Sequence, residues 1–178
     1  ENYQPLRDRM IRKGYTFVSQ TDTEVLAHML DYYYKGDPLE AISKVLTRVE
    51  GSYALGIIWK DHPGKLFAVR KDSPLIVGKA ENGCFIASDV PAILKYTRNV
   101  YFMENMEIAC MDRDQVHFYN LDQEEIEKEI SVIEWDLEAA EKGGYEHFML
   151  KEIYEQPKAV RDTINPRIKE DEIVIDEL

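Results

Sequence analysis

Asp22 is the residue of this 178-residue sequence whose type and spacing offer chemistry. It stands three residues before Val25 and four before Leu26, and at about 100° per residue it shares a helical face with Met29 and Tyr33. The spacing predicts a carboxylate at the N-terminal end of an apolar, inward-facing stripe. Two roles fit that place. In one, the acid beside a Thr21 cap complements the positive end of the helix dipole. In the other, an inward acid at a helix start holds a cationic group of a ligand. Capping acids are far commoner than ligand acids, so the pattern alone favours the first. The remaining reactive side chains are dispersed. Cys84 and Cys110 each lie inside an apolar strand-like run and read as buried free thiols rather than a disulfide or a reactive pair. His28, His62, His117 and His147 lack metal-ligand spacing and read as surface or packing residues, so no metal and no cofactor is expected. The sequence contains no glycine-rich phosphate loop, no Cys-x-x-Cys and no His-Glu-x-x-His.

The elements around Asp22 are legible from local patterns. Leu6, Met10 and Ile11 follow Pro5 at helical spacing, and Gly14 offers a stop. Tyr15–Ser19 is β-branched and aromatic and predicts a short strand. Thr21-Asp22-Thr23-Glu24 has the spacing of a capping box, opening a helix whose stripe is Val25, Leu26, Met29, Leu30 and Tyr33. Of the tyrosine triplet, only Tyr33 belongs to that stripe. Asp37-Pro38 opens a third helix with Glu40 as its second capping residue; Leu39, Ile42, Val45, Leu46 and Val49 form its stripe, and Gly51 is its expected end. The period then becomes strand-like over 53–59, 66–69, 74–77 and 84–87, with Glu81-Asn82-Gly83 as a hairpin signal. A brief helix is expected after Ser88-Asp89, and a further hairpin across Met106–Met111 and Val116–Tyr119. The run Gln123–Glu129 reads as a solvated face. A last helix is expected from His147 to Ile164, broken by Asn165-Pro166, with a charged linker to the end. Helices grouped before a run of antiparallel strands predict an α+β layered fold.

Composition narrows the function classes. Lys and Arg number 22 against 34 Asp and Glu, a net charge of −12. That balance argues against a non-specific nucleic-acid binder, which needs a basic stripe to displace counterions. Hydrophobic residues make up 44 %, which argues for a folded body rather than a disordered acidic chain. The longest apolar run, Tyr53–Trp59, is far short of the ~20 residues of a membrane span, and no secretory signal pattern is present.

Several strings also resemble a known family. Residues 15–25, Tyr-Thr-Phe-Val-Ser-Gln-Thr-Asp-Thr-Glu-Val, look like the segment around the glutamine-binding aspartate of class II glutamine amidotransferases. Glu50-Gly51-Ser52-Tyr53-Ala54, Arg70-Lys71-Asp72-Ser73-Pro74-Leu75 and Ala87-Ser88-Asp89 are similar to further blocks of these enzymes. Lys151-Glu152-Ile153-Tyr154-Glu155-Gln156-Pro157 is the most specific and resembles the glutaminase domain of the glutamine–fructose-6-phosphate aminotransferase branch. The strings occur in family order from Glu1 to about Ile168.

The resemblance implies a four-layer α/β/β/α sandwich of the N-terminal-nucleophile type. It implies hydrolysis of L-glutamine in the cytoplasm and delivery of ammonia to a sugar-isomerase half of the same parent chain, which makes glucosamine 6-phosphate. By resemblance Asp22 grips the α-amino group of glutamine, and this favours its binding role. The family's nucleophile is an N-terminal cysteine, which this chain does not carry, and its oxyanion Asn-Gly pair and arginine loop precede the matched strings. Residues 1–164 therefore read as the central and C-terminal part of a glutaminase domain, incomplete at the N-terminus and inactive alone. Residues 165–178 read as a linker toward the isomerase half. Neither a nucleic acid nor a membrane is an expected partner, and a homodimer is left open. Sheet edges exposed by such a truncation predict marginal stability or self-association. Two other readings remain: another class II branch, or a non-catalytic module that has lost the nucleophile.

Overall fold

The computed structural model describes residues 1–134, 143–169 and 172–174. These fall into two compact units, Glu1–Glu134 and Trp135–Leu178.

The first unit opens with three helices, α1 (Tyr3–Arg12), α2 (Glu24–Tyr33) and α3 (Pro38–Leu46). Each forms for a local reason. In α1 the side chain of Met10 is wholly buried, Arg9 and Arg12 meet the negative end of the dipole, and Gly14 leaves the helix at φ +94. In α3, Pro38 fills a position that needs no N–H donor, and the Asp37 carboxylate accepts the Leu39 N–H at 2.9 Å. Glu40 is not a second cap; it pairs along the helix with Lys44 at 2.6 Å. The helix stops at Leu46, and Gly51, at φ +113, instead ends the loop that follows.

Nine strands follow, named β1 (Tyr53–Ile58), β2 (Leu66–Lys71), β3 (Ile76–Ala80), β4 (Gly83–Ala87), β5 (Asn99–Phe102), β6 (Ile108–Met111), β7 (Val116–Tyr119), β8 (Glu125–Ile126) and β9 (Ser131–Val132). They make two antiparallel sheets, a five-stranded one in the order β1-β2-β6-β7-β8 and a four-stranded one in the order β4-β3-β5-β9. Asn82 lies in the tight turn that pairs Ala80 with Gly83, as the hairpin signal predicts. The two-residue period sorts β2 between two cores. Phe67 and Val69 join Met10, Val25, Met29, Leu30, Ile42, Val45, Leu46 and Ile108 under the helices. Ala68 joins Ala109, Met111, Phe118, Leu75, Val77 and Met103 between the sheets. Helices, five-stranded sheet and four-stranded sheet are thus three stacked layers of an α+β fold. On the outer side of β3, Gly78 leaves room for its neighbours: a Cβ there would stand 2.6 Å from Ile93 and 2.9 Å from Thr97.

Three local expectations fail for identifiable reasons. Tyr15–Ser19 forms no strand, because the Val18 and Ser19 amides donate to the Glu24 carboxylate rather than to a neighbouring strand. Residues 90–97 form two successive turns, closed by Leu94 N–H to the Val90 carbonyl and Thr97 N–H to the Ile93 carbonyl, rather than a helix. Within Gln123–Glu129 the glutamates are exposed, but Lys128 is largely withdrawn from solvent and pairs with Glu107 at 2.7 Å.

In the second unit, α4 (Phe148–Ile164) runs through Pro157 and ends in a 3-10 turn at Asn165–Arg167. β10 (Ile168–Lys169) and β11 (Glu172–Ile173) pair antiparallel within the segment expected as linker. Residues 170–171 and 175–178 of that segment lie outside the described residues.

Candidate functional site

Asp22 precedes α2 rather than lying within it. The helix starts at Glu24, two residues later than the capping pattern implies, and Thr21 is not its cap. The Asp22 carbonyl accepts the Val25 N–H at 3.2 Å, and the Thr23 hydroxyl lies 3.3 Å from Asp22 Oδ1. The residue is exposed, so the expectation of a buried-facing carboxylate is corrected. A stripe position before the first helical turn has no helix beneath it to press it inward.

Asp22 nonetheless lines a cavity of about 320 Å³ between the starts of α1, α2 and β1. Leu6, Val25, Leu26 and Leu55 supply apolar walls, while Glu1, Asn2, Glu50, Ser52 and Tyr53 join Asp22 as the polar lining. The lining includes three acidic residues and, among the described residues, no lysine or arginine, a balance that favours a cationic group within it. The wall opposite α2 is tied by an amide bridge: Asn2 Nδ2 donates to the Arg48 carbonyl at 2.8 Å, and the Glu50 N–H donates to Asn2 Oδ1 at 3.0 Å. Gly51 allows the Glu1 backbone nitrogen close to this loop; a Cβ there would stand 2.8 Å from it. Burial, and then the Asp72 charge, raise the Tyr53 phenol above its ordinary pKa.

The loop leading to Asp22 is organised by Glu24. One of its oxygens accepts the Val18 N–H at 2.8 Å; the other accepts the Ser19 N–H at 2.8 Å and the Ser19 hydroxyl. These donors, Ser19 Oγ first, pull the Glu24 pKa down to about 2. The spacing Thr21–Glu24 marked this glutamate as a capping partner; the Val18 and Ser19 donors, three and two residues before Thr21, took it.

The other reactive groups lie elsewhere. Burial raises the thiol pKa of both Cys84 and Cys110, the opposite of an activated nucleophile. His28 packs against Tyr15 and Phe17, His62 against Tyr34, and His117 contacts Glu125 at 2.6 Å. Among the described residues, no group of three His, Cys, Asp or Glu could hold a metal ion, and no helix is long and apolar enough to cross a membrane.

The string Arg70–Leu75 forms a joint between the sheets rather than part of the cavity. Asp72 adopts φ +57, its N–H donates to Asn105 Oδ1 at 2.8 Å, and Asn105 Nδ2 donates back to its carboxylate at 2.7 Å. Arg70 Nη1 donates to the Met103 carbonyl at 2.9 Å. Both partners sit on the loop that carries the chain from β5 in one sheet to β6 in the other.

Residues 1–95 match the glutamine amidotransferase domain family. The whole chain is 56 % identical over 179 residues to the isomerizing glutamine–fructose-6-phosphate aminotransferase of Caldanaerobacter subterraneus subsp. tengcongensis. The chain belongs to the glutamine amidotransferase domain family. The corresponding aminotransferase of Clostridium acetobutylicum is 58 % identical across 94 % of the chain. The chain spans only 28–29 % of the length of these two relatives. The amidotransferase fold agrees with a solved structure, glutamine phosphoribosylpyrophosphate amidotransferase from B. subtilis. That likeness has a TM-score of 0.58 at 21 % identity and covers 70 % of this chain and 28 % of the other.

Proposed function

We propose that this chain is the glutamine-binding part of a glutaminase domain, with Asp22 receiving the α-ammonium of L-glutamine. The observation that carries the proposal is the cavity: about 320 Å³, three carboxylates, no cationic side chain, and Asp22 on its rim. An ammonium entering it gains a charge-assisted hydrogen bond from the Asp22 carboxylate in the lining. Among the described residues the lining holds no lysine or arginine for the α-carboxylate of the same amino acid, a task the family gives to an arginine loop that is not among these residues.

Amide hydrolysis needs an activated nucleophile and donors for the oxyanion. Cys84 and Cys110 sit in strands with raised thiol pKa and supply neither. The 178-residue polypeptide alone is therefore expected to be inactive. In the longer protein, ammonia released here passes to a sugar-isomerase half that converts fructose 6-phosphate to glucosamine 6-phosphate, a cytoplasmic step of hexosamine synthesis. The identity to aminotransferases of that branch, together with Lys151–Pro157, supports it over the purine-synthesis branch.

Two assays test the reading. The isolated polypeptide is expected to release no glutamate from L-glutamine, and measurable release refutes its inactivity. In the full-length protein, Asp22→Asn is expected to raise the KM for glutamine by about a hundredfold, the scale of a lost charge-assisted bond. An unchanged KM removes Asp22 from the binding site.

A further inference from the structure

Asp22 occupies an exposed bend, a poor place from which to aim a carboxylate, since an unrestrained loop loses conformational freedom each time a ligand orders it. The structure shows what restrains it. The Glu24 carboxylate, with only 12 % of its side chain exposed, gathers the Val18 N–H, the Ser19 N–H and the Ser19 hydroxyl. The Ser19 hydroxyl in turn meets Thr21 twice, at 2.9 Å from its hydroxyl and 3.3 Å from its N–H. Thr21 is covalently joined to Asp22, whose own carbonyl is taken by the first turn of α2. His28 closes the arrangement behind, with Nε2 3.4 Å from Glu24. The bend carrying Asp22 is thus strapped at both ends, and one carboxylate that never reaches the cavity organises the strap.

We infer that Glu24 is a positioning residue for glutamine binding, acting through the Ser19 hydroxyl and Thr21 to hold Asp22 at the cavity. This rests on the reading of Asp22 as the ammonium partner. A contact made equally in ground and transition state appears in KM and not in kcat. Breaking the strap lets Asp22 sample orientations away from the cavity.

The test is glutaminase kinetics in the full-length protein for Glu24→Gln, Ser19→Ala, Ser19→Thr and Asp22→Asn, with the double variant Asp22→Asn/Glu24→Gln. Glu24→Gln presents an NH2 group to donors that need an acceptor, and is expected to raise KM about tenfold with kcat within about twofold. Ser19→Ala is expected to raise KM by about threefold, while Ser19→Thr, which keeps the hydroxyl, restores it. Because Glu24 acts through Asp22, the double variant is expected to have the KM of Asp22→Asn alone, whereas a merely structural role makes the two effects add. Additive effects, or a lowered thermal midpoint with unchanged KM in both Glu24→Gln and Ser19→Ala, overturn the inference. If Glu24→Gln fails to fold, the Ser19 pair decides. An Asp22→Asn variant with unchanged KM overturns the reading of Asp22 and the inference with it; a raised KM there beside unaffected strap variants overturns only the inference.

Discussion

Met29 and Asp22 are seven residues apart on either side of the same helix start, yet they belong to different kinds of structure. Met29 is 1 % exposed and packs in a cluster contributed by three helices and two strands. Asp22 is exposed and held by a handful of directional hydrogen bonds running through Thr23, Val25 and the Ser19–Thr21 turn. The cluster is redundant, since each side chain touches several others and its energy scales with the area withdrawn from water. The rim is not redundant: remove one acceptor and its donors have nowhere else to go. Stability should therefore respond to the first region and ligand binding to the second.

The sharpest break of that contrast lies in the core. Ile108→Ala removes a side chain with no exposed surface beneath the helices. It is expected to cost about 2–5 kcal/mol in urea unfolding, because the cavity left behind collapses only in part. A value below about 1 kcal/mol would mean that the helical layer packs loosely on the sheet.

Acid probes the boundary between the two regions. The Glu24 pKa is lowered from 4.5 to about 2, so the folded state favours the charged carboxylate more than the unfolded chain does. Its contribution to stability is complete above pH 4.5, declines as pH falls from 4.5 toward 2, and is gone once both states are protonated. Urea midpoints for the parent and for Glu24→Gln are expected to differ above pH 4.5 and to converge toward pH 2. A difference independent of pH would assign the effect to something other than the carboxylate charge.

The smallest expected change in stability is at the rim itself. Asp22→Asn keeps the shape of an exposed side chain and is expected to move the unfolding free energy by no more than about 0.5 kcal/mol. Thermal unfolding of the two forms checks this. A larger loss would return Asp22 to the dipole-complementing role that its local pattern favours.

Local sequence carried a good part of the fold. The stripe Val25, Met29, Leu30 and the stripe Ile42, Val45, Leu46 are buried as a 3.6-residue period requires, and Leu26 and Tyr33 pack at the edge of the same core. The hairpins β3–β4 and β6–β7 form where turn residues separate short, mainly apolar runs. The misreadings share one cause. Tyr15–Ser19 has the composition of a strand, and Thr21–Glu24 the spacing of a capping box, but each pattern counts only its own residues. In the folded chain the Glu24 carboxylate is contested, and the amides of Val18 and Ser19 win it. Propensity expresses what a segment can do, whereas hydrogen bonds are assigned by which partners arrive.

The sequence by itself determined the α+β class, the three N-terminal helices, the family, and Asp22 as the acid of interest. Those features depend on periods, turns and ordered strings that neighbours in sequence define. Tertiary structure alone decided that Asp22 is exposed rather than buried, that it shares a cavity with Glu1 and Glu50, and that Glu24 organises the bend beside it. The cavity follows from bringing the starts of α1, α2 and β1 together, residues up to fifty apart in the chain. The exposure of Asp22 and the strap by Glu24 follow from which nearby donors the folded bend brings to that carboxylate, and no local period encodes either.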